Sequence, residues 1–536
     1  MKILDHIADL LQHRETHAIA VAVTIVLLLA ILLPLRDSPL SRIPTSPIVK
    51  WFPRFRVFRM VNGTGHRFVY DLHEQYGTVV RLDKGTISVA DVPLAYKLLR
   101  IDDIPKSSFY DRLRDRLRDG EPTNLVAERN PAAHKVIRSQ VSPAFAIKYL
   151  ASLEPMMKAV LVELEEKISK APKEADGYVT LDMVKVYNTV TADFISQTAF
   201  GQSLHSVKNG SHVYIDSIKT SLFWGLIGTA IPSFPIHLTQ SLQNSEWTIR
   251  RLIKSFVVAR ESLNESGTRI DDILQFLIDQ KLPYDKMRVN LAVLMLAGTE
   301  TTANTLVWAT YLLFKHPKKL DRLRRELDDA FPDGLTAPLA LAKLKKLPWL
   351  NAVIKETLRV RPVVTKVSRE VDEDTSVVGH DPDGTPRNYE VPAGSTVEVS
   401  IYSLQRSSKL WIRPEDFWPE RWLAETVADE EAWGIARDDD TAKDVLEGSA
   451  NGPTVVCKQA FIPFSLGSRD CIGRNFAWDE LRSVLAYLVR RYDLAPAFNT
   501  TVDTHGSDFI TVRFGSKAGL PVRVRRRSFL SQGKGE

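Results

Sequence analysis

The residues of this chain best suited to chemistry lie in positions 461–476, where Cys471 sits in a loop punctuated by Gly467 and Gly473. An apolar, helix-forming pattern follows directly, through Phe476, Ala477, Leu481, Val484, Leu485 and Leu488. A thiolate set just before a helix meets unpaired backbone N–H groups and the positive end of the helix dipole. Both lower its pKa and suit it to a soft or borderline metal. The two glycines let the backbone turn tightly and approach something flat and large. Arg469, two residues before the cysteine, is placed to meet an anionic group on that object. Taken alone, a single cysteine is more often just a buried apolar side chain.

A second group of reactive side chains interrupts an apolar run. Residues 297–302 read Ala-Gly-Thr-Glu-Thr-Thr, inside a helical pattern predicted over Tyr284–Lys315. Gly298 followed by hydroxyl residues predicts a local distortion. Thr301 can return a hydrogen bond to the carbonyl of residue 297 and open a small groove. A groove holding that hydroxyl and the Glu300 carboxylate can take a small ligand and relay protons to it. The residues suit equally a helix packed closely at Gly298 with Glu300 at the surface. Two further pairs fall on helix faces: Glu356 with Arg359 at i, i+3, and His134 with Arg138 at i, i+4. Alone, each reads as an exposed pair worth ~0–1 kcal/mol.

These side chains must be held by a large core, and the composition allows one. The chain has 536 residues, 44% of them apolar and 25% charged. Its two cysteines, Cys457 and Cys471, exclude a disulfide framework and point to a reducing compartment. The net charge of +6 is too weak to argue for nucleic acid. Residues 18–35 carry no charge, and 18 helical residues reach ~27 Å, enough for a thin bilayer. No small-x-small cleavage site follows, so the run reads as an uncleaved anchor. Cations concentrate after it, which places the body in the cytosol. An amphipathic segment precedes the run, so residues 1–36 read as anchor. Residues 37–59, with four prolines, read as a hinge. The catalytic body is expected over 60–520, with an acidic surface insertion at 423–460 and a basic tail at 521–536. A β-hairpin is expected at 79–82 and 86–89. Helices are expected at 131–141, 150–170, 182–198, 246–263, 284–315 and 318–330. Further strands are expected at 365–371, 395–399 and 509–514.

Phe464, Gly467, Arg469, Cys471 and Gly473 together fit F-x-x-G-x-R-x-C-x-G, which resembles the haem-binding loop of the cytochrome P-450 family. Residues 297–302 resemble that family's oxygen-binding kink. Glu356, Arg359 and the Pro-Glu-Arg-Trp run at 419–422 resemble its E-x-x-R and P-E-R-F/W elements. The resemblance implies a mainly α fold with small β-sheets, behind one N-terminal transmembrane helix. It implies haem b with Cys471 as the metal ligand and dioxygen as co-substrate. It makes Glu300 and Thr301 the catalytic pair. His134, Arg138 and Arg369 become propionate-binding residues, beside Phe464, Gly467, Arg469 and Gly473 of the cofactor loop. Glu356, Arg359 and Arg421 become a buried structural network. Gln405 departs from the family's S-x-H-R, where histidine is common, which puts a propionate contact at 405 in doubt.

The implied activity is oxidation of a lipophilic small molecule such as a terpenoid, polyketide, fatty acid or steroid. Electrons would come from an NADPH–cytochrome reductase docking near Lys135, Arg469 and Arg474. The implied place is the endoplasmic reticulum membrane, in contact with lipid. Substrate-facing positions are expected in 107–125, 222–234, 294–297, 363–366 and 505–509, with Lys366 itself read as a surface residue. Two alternatives stay open: a haem-thiolate isomerase or dehydratase that does not use dioxygen, and a non-catalytic membrane haem-binding protein.

Overall fold

The computed structural model describes residues 39–52, 55–114, 120–230, 239–423, 458–498, 511, 514–515 and 519–528. The expected anchor at 1–36 lies outside the described residues, as do most of the acidic stretch 423–460 and most of the strand expected at 509–514. Among the described residues no helix is long and apolar enough to cross a membrane.

The described chain is mainly helical, with three small sheets. Helices start where their first turns find acceptors. Asn130 accepts from the Ala133 N–H and Pro131 opens the helix Pro131–Val141. Asp182 does the same for Met183–Phe200, which stops at the left-handed Gly201. The helix expected at 150–170 is two, Ile147–Ser152 and Glu154–Lys170, because Pro155 cannot sit inside a continuous helix. The first sheet runs β1 (Val79–Arg81), β2 (Thr86–Val89), β7 (Thr396–Ser400), β4 (Lys366–Glu370), with β2 and β7 parallel. A second joins β3 (Val179–Asp182), β9 (Pro521–Arg526) and β8 (Tyr492–Pro496), and a third pairs β5 (Thr375–His380) with β6 (Pro386–Val391).

Two boundaries differ from expectation. The segment read as a hinge is packed protein. Leu40 and Ile43 are 1% and 2% exposed, and helices form at Pro47–Trp51 and Phe55–Val61. Arg56 is buried there and donates to both oxygens of Glu398 at 2.6 and 2.7 Å. Pro39 and Pro47 open short helices here, where a missing N–H costs nothing. Likewise, residues 521–526 of the expected tail form the central strand of the second sheet. Val522 and Val524 alternate inward from Arg523 and Arg525, a period-2 pattern that the high charge concealed.

The long helix Tyr284–Lys315 runs unbroken through the middle of the molecule. Its neighbour Met183–Phe200 is locked to it by two bonds: Tyr187 Oη with Thr310 Oγ1 at 2.6 Å, and Thr191 Oγ1 donating to the Thr299 carbonyl at 3.0 Å. A Cβ on Gly298 would stand 3.1 Å from Ile195, so the glycine permits this approach. Behind the long helix, Pro348–Val360 supplies the Glu356 carboxylate. Arg359 donates to both its oxygens at 2.8 and 2.9 Å, Arg421 at 3.1 Å and Trp422 Nε1 at 2.9 Å. Glu356, Arg359 and Arg421 are all fully buried. Burial alone would raise the Glu356 pKa, but Arg359 and then Arg421 more than offset it and hold the group below its usual 4.5.

Removing one member of such a network leaves uncompensated buried charge. Glu356→Ala is expected to lose ~3–5 kcal/mol of stability and to yield protein without haem, read by thermal melting and by absorbance of the purified chain. A carboxylate with a depressed folded pKa stabilises fully above 4.5 and less as pH falls through the folded value. The gap between wild type and the Ala variant should therefore narrow in acid. Normal haem content in the variant would contradict the assignment.

Candidate active site

One cavity of about 320 Å³ collects most of the residues singled out by the sequence. Cys471, Gly473, Phe464 and Arg469 line it from the cysteine loop, and Glu300 and Thr301 from the long helix. His134, Arg138 and Arg369 line it as well. Gly467 does not line it and acts differently. It has φ +78, and a Cβ there would fall 1.9 Å from the Leu99 carbonyl oxygen. The loop thus crosses the backbone of residues 97–101 at a distance only glycine allows. The loop is closed by the Cys471 N–H donating to the Phe464 carbonyl at 2.9 Å, and the helix Arg474–Arg491 begins immediately after Gly473.

Cys471 Sγ faces this cavity, while protein surrounds it on the other sides. Its pKa is raised, not lowered as the helix position suggested. Desolvation is the largest effect, and the Gly473 N–H, Arg474 and Arg138 oppose it without cancelling it. A thiolate here needs a cation beside it. A Cβ on Gly473 would meet only Cys471 Sγ, at 4.0 Å, so the backbone presents an open face next to the sulfur.

A ring of positive groups stands on the same cavity. Arg369 and Arg469 are 1% and 7% exposed, and the Nε of each has no hydrogen-bond partner among the described residues. Arg138 donates to the Asp470 carbonyl at 2.8 Å. His134 is buried and held neutral, its pKa pushed down to about 3 by burial and then by Lys106, Arg469, Arg138 and Arg369. Sequence reasoning missed Lys106. It is 5% exposed, lines the cavity, and donates to the Leu125 and Val126 carbonyls at 2.9 Å each. Burial and the neighbouring Arg369, Arg469 and Arg138 push its pKa down to about 7. No local spacing marks this lysine, which the fold alone brings to the arginines. Asp103 pairs with Arg469 and Asp470 with Arg138, whereas Lys106 and Arg369 have no carboxylate partner among the described residues. Crowded, desolvated cations with orphaned N–H groups fit a flat group carrying carboxylates, as haem does.

On the long helix, Thr301 Oγ1 donates to the Ala297 carbonyl at 2.8 Å, the return bond expected from the sequence. Glu300 is 5% exposed and turned into the protein, where Asn304 Nδ2 donates to its carboxylate at 3.2 Å. Thr302 donates to Glu480 at 2.9 Å. Glu480 also lines the cavity, and burial raises its pKa well above that of a free carboxyl. The remaining wall is largely apolar, with Phe109, Leu113, Leu222, Leu294, Val363 and Val367.

Some expected positions fall elsewhere. Gln405 does not line the cavity: it donates to the Leu358 and Arg359 carbonyls and accepts from the Ile462 N–H at 3.1 Å. Lys366 lines the cavity and lies 3.5 Å from Glu398, so it is not a surface residue. Arg469 is too buried to dock a partner, whereas Lys135 is exposed and Arg474 is half-buried and paired with Asp470 at 2.7 Å. Phe223 is 52% exposed and points away from the cavity. Residues 505–509 lie outside the described residues.

A family profile described as cytochrome P-450 matches residues 44–512. The chain belongs to the cytochrome P-450 family. It is 30% identical over 473 residues to the cytochrome P-450 monooxygenase acrD of Aspergillus aculeatus, covering 85% of each chain. It is 28% identical to the cytochrome P-450 monooxygenase LUC2 of a Fusarium species, over 85% of this chain and 83% of that one. It is 29% identical to the cytochrome P-450 monooxygenase BOT4 of Botryotinia fuckeliana, over 85% and 81%. This cytochrome P-450 is a monooxygenase, an oxidoreductase whose family uses haem, dioxygen, a redox partner and a small-molecule substrate.

Lys106 yields a test that needs no substrate. A base whose folded pKa is depressed destabilises the fold while it is charged there. Haem-free protein should therefore gain a few kcal/mol of stability as pH rises from about 7 to 10.5. Lys106→Met should abolish that rise and should speed haem loss ~10–100-fold, the value of one charge-assisted hydrogen bond. Denaturant melts across that pH range and transfer of haem to apomyoglobin measure the two. A flat profile in the haem-free wild type would contradict the role.

Proposed function

We propose that this chain binds haem b through the Cys471 thiolate and oxidises a lipophilic small molecule of the terpenoid or polyketide kind. Its electrons would come from NADPH through a membrane-bound NADPH–cytochrome reductase. The observation that carries the reading is a single cavity lined by Cys471 Sγ, by the cationic ring, and by Glu300 with Thr301. In this arrangement Arg369, Arg469, Arg138, Lys106 and His134 would hold the propionates, and Cys471 would be the protein's ligand to the iron. The bound haem would supply activation of dioxygen.

The chain's own residues do the rest. Thr301 spends its hydroxyl proton on the Ala297 carbonyl, so its oxygen is left as an acceptor that can hold a water or a proton at the cavity wall. Glu300 stands next to it in the chain as the group that can pass a proton from inside the protein. The apolar wall excludes water and fits an apolar substrate by burial rather than by charge. Exposed Lys135 and half-buried Arg474 are cations to which an acidic reductase face would dock.

The same proposal places the protein on the endoplasmic reticulum membrane, spanning once through residues 18–35 with the body in the cytosol. Support comes from Trp51, Phe52 and Phe58, which are 64%, 46% and 61% exposed just beyond that run. Bulky aromatics exposed in one stretch suit a lipid interface.

Microsomes containing the full-length chain and reductase should consume NADPH and dioxygen when an apolar ligand is present. Thr301→Ala should keep its haem but form product ~10²-fold more slowly, with released peroxide accounting for more of the NADPH consumed. Turnover that does not require NADPH, or product formation unchanged in Thr301→Ala, would contradict the reading.

A further inference from the structure

Asp103 stands in left-handed backbone, with φ +46. That conformation is strained for any residue but glycine, and it persists where the surrounding structure or a function requires the side chain. The segment that carries it packs against elements of the site on both sides. Before it, the Leu99 carbonyl lies against Gly467 of the cysteine loop. After it, Lys106 meets Arg369 in an isolated bridge. At Asp103 itself the chain turns back, and the Ile104 N–H donates to the Leu98 carbonyl at 3.2 Å.

Asp103 reaches the cysteine loop with both its backbone and its side chain. Arg469 Nη1 donates to the Asp103 carbonyl at 2.9 Å and to its Oδ1, and Ser468 Oγ donates to its Oδ2 at 2.6 Å. The Arg469 side chain is 1% exposed and lines the cavity, whereas Asp103 stands outside the cavity wall. Every hydrogen bond that Arg469 makes among the described residues leaves from Nη1, the third being a long one of 3.4 Å to Ser468 Oγ. Its Nε has no acceptor among the described residues, and its Nη2 makes no bond there either. Nε and Nη2 carry the two parallel N–H groups that take a carboxylate side on. The contacts from Asp103 thus occupy one corner of the guanidinium and spare its bidentate edge.

We propose that Asp103 is a positioning residue for Arg469: by holding Nη1 from outside the cavity, it leaves the Nε–Nη2 edge for a haem propionate. This rests on the reading of the cavity as the haem site. The turn alone does not account for the residue, because glycine takes φ +46 without strain. The carboxylate also sets a negative charge beside the arginine that would meet the propionate, and a negative charge there opposes addition of an electron to the iron.

The test compares wild type with Asp103→Gly and Asp103→Asn as detergent-solubilised full-length holoprotein. Glycine keeps the turn and the carbonyl contact and removes the carboxylate. It should speed transfer of haem to apomyoglobin ~10-fold, the lower end for loss of a charge-assisted hydrogen bond. Asparagine keeps an acceptor for Nη1 and removes only the charge. It should hold haem nearly as long as the wild type and shift the midpoint potential of the iron upward, which a residue that merely shaped the turn would not do. Haem loss unchanged in Asp103→Gly overturns the proposal, as does haem loss in Asp103→Asn as fast as in Asp103→Gly, or a potential unchanged in Asp103→Asn. The potential is read on the asparagine variant, so it does not depend on the glycine variant folding. Failure of the haem reading would appear separately, as a wild type that takes up no haem before either variant is compared.

Discussion

The structure depends on one buried carboxylate. Glu356 accepts from Arg359, Arg421, Trp422 and the Trp418 N–H, so four donors from two segments of the chain converge on two oxygen atoms. The same Arg359 then donates to the carbonyls of Gln405, Pro414 and Asp416. Gln405 in turn accepts from Ile462, at the entry to the cysteine loop. A continuous path of hydrogen bonds therefore leads from the helix behind the site to the loop that carries Cys471. Buried networks of this kind are costly to leave half-satisfied, and so they fix one geometry.

On the cavity side the balance is reversed. The network around Glu356 is fully paired, whereas the ring of Lys106, His134, Arg138, Arg369 and Arg469 carries more positive charge than its neighbours compensate. Cys471 is similarly strained in electrostatic terms, since desolvation favours the neutral thiol. A cation bound at the sulfur and carboxylates at the ring relieve both at once. Local instability of this sort, set on a rigid frame, suits a site that is completed by a cofactor.

Much of this was legible in the sequence because it is written at short spacing. The cysteine loop, the Thr301 return bond and the helices Pro131–Val141 and Tyr284–Lys315 follow from neighbours within one or two turns. What failed to show depends on contacts far apart in the chain. Lys106 meets Arg369 across 263 positions, paired in an isolated bridge between strands. Arg56 is buried only because Glu398 waits for it, which made a packed segment look like a hinge. The strand Pro521–Arg526 has charged residues on its outer face and reads as a tail until β3 and β8 flank it. The direction of the Cys471 shift was misjudged because the helix terminus is visible in sequence and the depth of burial is not.

The central claim is that the Cys471 sulfur, presented by this loop, holds the iron. It is tested most directly by the difference spectrum of the reduced, carbon monoxide-bound protein, compared between wild type and Cys471→Ala. The account predicts the long-wavelength band of thiolate ligation in the wild type and its complete loss in the variant. A wild type without that band, or a variant that keeps it, would contradict the account.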